Sequence, residues 1–137
     1  MDSIKIDEAL MELGVTEYAI IGSVNNESDF KNNFKKITAT DKDGNGTFSS
    51  DPKDWGVTWS QLKTKYDVLV KDEPLKLLRE QRDGKLAQSD WVVIKEREEG
   101  GSVSNFADWK KYRQELRDIT KTYKSLDKVK WPTAPSE

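Results

Sequence analysis

Apolar residues near the N-terminus recur first at helical spacing and then at strand spacing. The apolar positions of the first segment are Ile6, Ala9, Leu10 and Leu13. They lie three or four residues apart and are followed by Gly14, a residue type that often follows a helix C-terminus. Residues 16–21 are rich in strand-forming side chains and end at a Gly-Ser pair. This pattern predicts a short helix followed by a strand.

The next apolar positions return to a helical period. Asn26 or Ser28 is suited to cap a helix N-terminus. Phe30, Phe34 and Ile37 follow at i, i+4 and i+7, which places them on one helical face. We therefore expect a second helix that contains both phenylalanines.

A hairpin is predicted directly after this helix. Residues 37–40 contain three β-branched side chains, and residues 47–49 also favour extended chain. Between them lies DKDGNG, whose Gly, Asn and Asp residues are typical of tight turns.

The same turn begins like a calcium-binding EF-hand loop. Asp41, Asp43 and Asn45 lie at loop positions 1, 3 and 5, where an EF-hand supplies oxygen ligands. Gly46 lies at position 6, where the loop bends, but Pro52 stands at position 12, where a bidentate Glu is needed. A weak calcium-binding module through Asp41–Asp51 is thus an alternative function, and a hairpin turn without a metal is the preferred interpretation.

From Thr58 onward the pattern becomes helical. Thr58 and Gln61 have the spacing of a capping box. The apolar stripe of this helix is Trp59, Leu62, Tyr66 and Leu69. Residues 72–74 interrupt the stripe, and Pro74 suits the first turn of a new helix.

The rest of the chain predicts an αα-hairpin and an arm. We expect helices over about 74–88 and 104–120, with a short strand or extended run at 92–94 between them and a flexible connection at 99–102. The tail after residue 129, KWPTAP, contains two prolines and is predicted to be an extended arm.

These elements together predict an α+β protein. Residues 1–57 are expected to form a small mixed α/β domain with a hairpin. Residues 58–137 are expected to form a helical domain that ends in the extended Trp-Pro tail.

Composition narrows the function classes. The net charge of −2 comes from interleaved acidic and basic residues, so no basic stripe indicates nucleic-acid binding, and no long apolar run indicates a membrane span. The absence of His and Cys excludes Ser-His-Asp catalysis, Cys-His catalysis and disulfides. We expect no enzymatic activity, no catalytic residue and no cofactor. MDSIKIDEAL shows no secretory signal. The absence of cysteine is typical of proteins used in a reducing cytoplasm, so a cytoplasmic location is expected.

Three segments of the second half carry a family resemblance. They are LLREQRDGKLAQSDW at 77–91, WKKYRQELRDIT at 109–120 and WPTAP at 131–135. In this order they resemble the phage tail assembly chaperone family, small proteins associated with tail-fibre genes in tailed bacteriophages. The matching positions are Arg79, Arg82, Leu86, Asp90, Trp91, Trp109, Tyr112, Arg113, Leu116, Arg117, Asp118, Trp131, Pro132, Thr133 and Pro135.

A second resemblance covers other parts of the chain. DFKNNFKKITATDKDGNGTFSSDPKDWGVTW and RDITKTYKSLDKVKWPT resemble segments of small proteins from marine tailed phages, including cyanophages. The two resemblances imply a non-enzymatic role in tail or tail-fibre assembly, with a tail or tail-fibre protein as partner. They imply action in the host cytoplasm during assembly. A virion structural component at the tail or fibre attachment is the alternative, and homo-oligomerisation stays open.

Large aromatic and arginine side chains provide the candidate partner-binding residues, because Trp, Tyr and Arg dominate interface hot spots. They are Trp91, Trp109, Tyr112, Arg113, Arg117 and Trp131. Arg82, Arg113 and Arg117 are also expected to pair with carboxylates such as Asp90 or Asp118 and so to join the helices. We expect most of the aromatic rings to be core and one or two to be exposed as anchors.

Overall fold

The computed structural model describes residues 1–137. The chain forms two compact units, residues 1–71 and residues 72–137. The chain contains five α-helices, one short 3₁₀ helix and a three-stranded antiparallel sheet. The α+β prediction is therefore confirmed. None of the helices combines the length and the apolar character that crossing a membrane requires.

Helix α1, Ser3–Glu12, opens unit 1. The backbone N–H groups of Ile4 and Lys5 donate to Asp2 Oδ1 at 2.8 and 3.2 Å, so Asp2 caps the helix. Gly14 follows with φ +78°, a left-handed conformation that glycine adopts without a steric cost. The predicted helix and its terminal glycine are confirmed.

The sheet has the order β1-β2-β3, with β1 at Tyr18–Ile20, β2 at Phe34–Thr40 and β3 at Gly46–Ser49. Helix α2, Glu27–Asn33, lies between β1 and β2 in sequence. Strand β2 pairs with both neighbours in antiparallel register. The predicted strand and hairpin are confirmed.

The expected helix over Phe30, Phe34 and Ile37 is wrong in its C-terminal part. Helix α2 ends at Asn33, and Phe34 already belongs to β2. The β-branched residues that follow favour a strand, and strand pairing on both sides stabilises it. Phe30 and Phe34 are nevertheless both buried, with ring centroids 5.0 Å apart, so the helix-to-strand switch keeps both rings in the core.

Trp55 lies at the centre of the core of unit 1. Its ring meets Phe30 and Phe34 edge-on at 5.2 and 4.9 Å, and its indole N–H donates to the Ser49 carbonyl at 3.2 Å. The other buried residues of this core are Ile6, Ala9, Leu10, Val15, Val24, Val57 and Leu62.

Helix α3 spans Trp59–Gln88 and begins with the predicted capping box. The Thr58 N–H donates to Gln61 Oε1 at 2.9 Å, and the Gln61 N–H donates to Thr58 Oγ1 at 3.2 Å. The predicted break at residues 72–74 is wrong, because Pro74 lies inside the helix. A proline there removes one backbone hydrogen bond. The Leu, Lys, Glu and Arg residues around it are good helix formers and continue the helix on both sides.

Unit 2 contains two further helices, α4 at Asp90–Glu98 and α5 at Phe106–Thr122. The expected strand or extended run at 92–94 is wrong, because these residues belong to α4. Three residues without a neighbouring strand cannot form a ladder, whereas the residues at 95–98, Lys-Glu-Arg-Glu, favour helix. The expected hairpin of 74–88 with 104–120 is corrected accordingly: α4 lies between those two helices in sequence and packs against α5.

The connection and the tail follow the prediction. Gly100 and Gly101 have φ of +61° and +88°, so the turn between α4 and α5 requires the backbone freedom of glycine. After α5, residues 123–137 form no helix or strand. We call residues 123–137 the arm.

In the DKDGNG turn, the Asp41 carboxylate accepts hydrogen bonds from other residues of the same turn. The backbone N–H groups of Asp43 and Asn45 each donate to Asp41 Oδ1 at 2.9 Å, and Asn45 Nδ2 donates to Oδ2 at 3.2 Å. These bonds, above all that from the Asn45 backbone, hold the pKa of the Asp41 carboxyl below its ordinary value. The protein contains no group of three or more His, Cys, Asp or Glu side chains placed to hold a metal ion.

We predict that this turn binds calcium no more tightly than about 1 mM, because Pro52 supplies no bidentate ligand and Asp41 is engaged within the turn. Isothermal titration with CaCl₂ is the measurement, and Asp41→Ala is the matched variant. Micromolar binding that is lost in Asp41→Ala would contradict the prediction.

Candidate partner-binding surface

A small aromatic cluster forms the core of unit 2. It consists of the buried residues Val92, Trp109, Tyr112 and Leu116. Four half-buried residues pack against it: Leu86, Val103, Phe106 and Trp131. The cluster therefore joins the end of α3, α4, α5 and the arm.

Two edge-to-face contacts organise the rings. Trp109 meets Trp91 at a centroid distance of 5.7 Å and an interplanar angle of 74°, and it meets Tyr112 at 5.8 Å and 82°. Edge-to-face pairs are favoured because the positive edge of one ring meets the negative face of the other. Trp109 is only 5% exposed and Tyr112 only 7%, whereas Trp91 is 38% exposed. Of these three rings, only Trp91 is accessible to a partner.

The Trp91 ring belongs to an apolar surface on α4. Val93 and Ile94 are also exposed, Ile94 by 55%, while Val92 between them is buried in the cluster. Trp91 and Ile94 are three residues apart and therefore lie on neighbouring positions of the helix surface. We call Trp91, Val93 and Ile94 the α4 apolar surface.

The indole N–H of Trp109 is buried and has no hydrogen-bond acceptor in the protein. An unpaired buried donor costs about 1–3 kcal/mol, and such groups are rare in native proteins. The favourable free energy of burying the large Trp109 ring offsets this cost.

The Arg113 side chain makes its contacts within the protein and is mostly buried. Its Nη1 donates to the Leu86 carbonyl at 2.9 Å and to Ser89 Oγ, and it pairs with Asp90 Oδ1 at 2.9 Å. The Arg113 side chain is only 17% exposed, and Ser89 is buried. This guanidinium therefore holds the C-terminus of α3 and the start of α4 against α5, and the expected Arg–carboxylate pair is found at Asp90.

The other two arginines make only local contacts. Arg117 is exposed and donates to Gln114 Oε1 at 2.8 Å through Nη2, one helical turn away. Arg82 pairs with its neighbour Asp83 at 2.8 Å and not with Asp90 or Asp118. Arg117 is the accessible one of the two arginines predicted to contact a partner, and Arg113 is the internal one.

Two contacts join the C-terminal half of the arm to the helices of unit 2. Trp131 packs against the aromatic cluster, with the Lys85 ammonium 5.1 Å from its ring centroid, a cation–π distance. Asn105 Nδ2 donates to the Ser136 carbonyl at 2.7 Å, which fixes the end of the arm beside the start of α5. Trp131 is thus packed against the helices of unit 2 and only half-exposed.

Three residues that hold the arm or Arg113 in place were not among the candidate residues predicted from the sequence. They are Lys85, Ser89 and Asn105. Each is a common polar surface residue type, and its role depends on the approach of a segment at least 24 positions away. No periodicity or motif in the sequence marks such a contact.

Comparison with known proteins identifies the family that unit 2 resembles. Residues 75–136 match the family model described as phage tail assembly chaperone protein. This match confirms the resemblance and supports a role in phage tail assembly. It includes the whole aromatic cluster, the α4 apolar surface and nearly all of the arm. No curated protein and no solved structure matches the chain.

The arm contact predicts a stability effect. Trp131→Ala should lower the free energy of unfolding by about 2 kcal/mol, less than for a fully buried Trp because the ring is only half-buried. Lys130→Ala, which changes the exposed neighbouring residue, is the control. Urea denaturation followed by circular dichroism is the measurement, and equal midpoints for the two variants would contradict the result.

The Arg113 contacts predict a second effect, with Arg117 as the matched control. Arg113→Met should destabilise unit 2 by about 1–3 kcal/mol, because the Leu86 carbonyl and Ser89 lose a charged donor in a half-buried place. Arg117→Met removes only an exposed local contact and should change stability by less than about 0.5 kcal/mol. Thermal unfolding of both variants is the measurement. Similar losses in both would show that the Arg113 contacts do not stabilise the unit.

Proposed function

With residues 75–136 matching the phage tail assembly chaperone family, we propose that the protein acts in tail assembly by binding a tail or tail-fibre polypeptide. The binding surface in this proposal is the α4 apolar surface. The observation that carries it is an accessible Trp91 ring seated edge-on against the buried Trp109.

This arrangement suits an interface anchor. Trp is enriched among the residues that contribute most to binding, and anchors contribute by being desolvated on association. A side chain already packed against Trp109 loses less rotamer freedom on binding than an isolated one. Val93 and Ile94 extend the apolar area beside it.

Charged residues have a different role in the proposal. Arg117 is exposed on α5 and makes only a local contact, so it is suited to orient a partner and raise the association rate. Arg113, Trp109 and Tyr112 support the α4 apolar surface from within.

The proposed role is non-enzymatic, and we assign no catalytic residue. Assembly chaperones act by binding, and the chain contains neither His nor Cys, the usual residues for proton transfer and nucleophilic attack near neutral pH. The proposed place of action is the host cytoplasm while tails assemble.

Co-expression with the tail and tail-fibre polypeptides of the same phage tests this proposal. Trp91→Ala/Ile94→Ala should lower the yield of soluble tail or fibre polypeptide, and the amount that co-purifies, at least tenfold. The control is Ile4→Ala/Met11→Ala, which removes two exposed apolar side chains from unit 1 and should have no effect. Unfolding midpoints close to that of the wild type must first show that both double variants are folded.

Equal yields with wild type, both variants and no added protein would overturn the proposed assembly role. Mass spectrometry of purified particles then examines the alternative. Recovery of the protein in stoichiometric amounts would favour a virion structural component at the tail or fibre attachment.

A further inference from the structure

The C-terminal half of the arm, from residue 129 onward, has no helix, strand or turn and is held to the helices by two side-chain contacts. Its Trp131 ring packs against the aromatic cluster beneath the Lys85 ammonium, and its Ser136 carbonyl accepts from Asn105. No backbone hydrogen bond to a strand or helix holds the residues between these two points. We call the surface beneath the arm, from Lys85 to Asn105 and Tyr112, the arm groove.

The arm fills this groove incompletely. A cleft of about 330 Å³ remains between residues 133–135 of the arm and α5, where it is bordered by Asp108, Lys111, Tyr112 and Glu115. An occupant that filled the cleft would bury more surface against α5 than the arm does, and would therefore gain contacts that the arm does not make.

We propose that the arm is an internal placeholder, and that the arm groove receives an extended segment of a partner polypeptide that displaces it. The arm itself defines the chemistry of that segment. An aromatic ring is needed beneath Lys85, a proline after it fixes an extended backbone, and a carbonyl about five residues further on accepts from Asn105. Prolines reduce the entropy lost when an extended segment is bound.

Displacement requires a partner that outcompetes a tethered segment. The arm follows α5 after a short connection, so its effective concentration at the groove is at least about 1 mM, and a free segment with only the same contacts would not displace it. The unfilled cleft is the place where a partner gains contacts that the arm lacks. The arm then protects the apolar cluster from unselective contacts until such a partner arrives.

This inference rests on the proposed function for the identity of the partner, a tail or tail-fibre polypeptide. The groove is testable without that partner, with the arm sequence supplied in trans. The probe is a fluorescein-labelled peptide of residues 126–137, LDKVKWPTAPSE, and the control probe carries alanine in place of its tryptophan. Fluorescence anisotropy measures binding to the full-length chain.

In the Trp131→Ala chain, the arm no longer fills the ring site beneath Lys85. This chain should therefore bind the labelled peptide at least tenfold more tightly than the wild-type chain does. The alanine control peptide should bind neither chain. Pro132→Gly/Pro135→Gly is the second variant, since it loosens the arm without removing an aromatic group from the cluster. It should show an intermediate gain in affinity.

Equal affinity of the folded Trp131→Ala, Pro132→Gly/Pro135→Gly and wild-type chains for the peptide would overturn the proposal. If Trp131→Ala does not fold, the double proline variant decides alone. A loosened chain that forms dimers and excludes the peptide would also overturn it, because the occupant would then be the arm of a second copy. Peptide binding as expected, together with no effect of Trp91→Ala/Ile94→Ala on tail polypeptides, would support the groove and refute the proposed function.

Discussion

The packing of residues 72–137 depends on the burial of Trp109. Its ring meets Trp91 on α4 and Tyr112 on α5, and the cluster around it also receives the arm. Removing a buried Trp costs about 3–5 kcal/mol, whereas an unpaired indole N–H costs about 1–3 kcal/mol. The gain from packing therefore exceeds the cost of the orphaned donor, and the ring is retained in a place where its polar atom has no acceptor.

The contact between Trp91 and Trp109 also orders the α4 apolar surface. An exposed Trp that stands alone samples many rotamers, but Trp91 is held edge-on against a buried ring. Arg113 adds a second constraint, since its guanidinium contacts Leu86, Ser89 and Asp90 and so fixes where α3 ends and α4 begins. An apolar surface that is ordered before binding loses less conformational entropy when a partner arrives.

Unit 1 contains a hairpin turn whose residue types are shared with calcium-binding loops. Asp41 and Asn45 are residue types that bind calcium in an EF-hand, yet here they close a hairpin turn. The backbone N–H groups of the turn satisfy the same oxygens that a cation would need. Residue types alone do not separate a turn from a metal site, because both use the same oxygen lone pairs, and the structure shows the turn joining two paired strands.

The sequence by itself determined the structural features that depend only on residues close together in the chain. The glycine after α1, the Thr58–Gln61 capping box, the hairpin turn and the proline-containing arm depend on neighbours within a few residues, and each was predicted. The family resemblance is also a property of the sequence alone, because it depends on three ordered segments of the second half, and the family match covers all three.

Tertiary packing decided the rest. Phe34 leaves its predicted helix because strand pairing outweighs a helical period, and residues 92–94 become helix because no strand lies beside them. Likewise, sequence identified Trp91 and Trp109 as equal candidates for the binding site, and only the structure separates the exposed ring from the buried one. Burial is set by segments far apart in sequence, so it cannot be deduced from the residue or its neighbours.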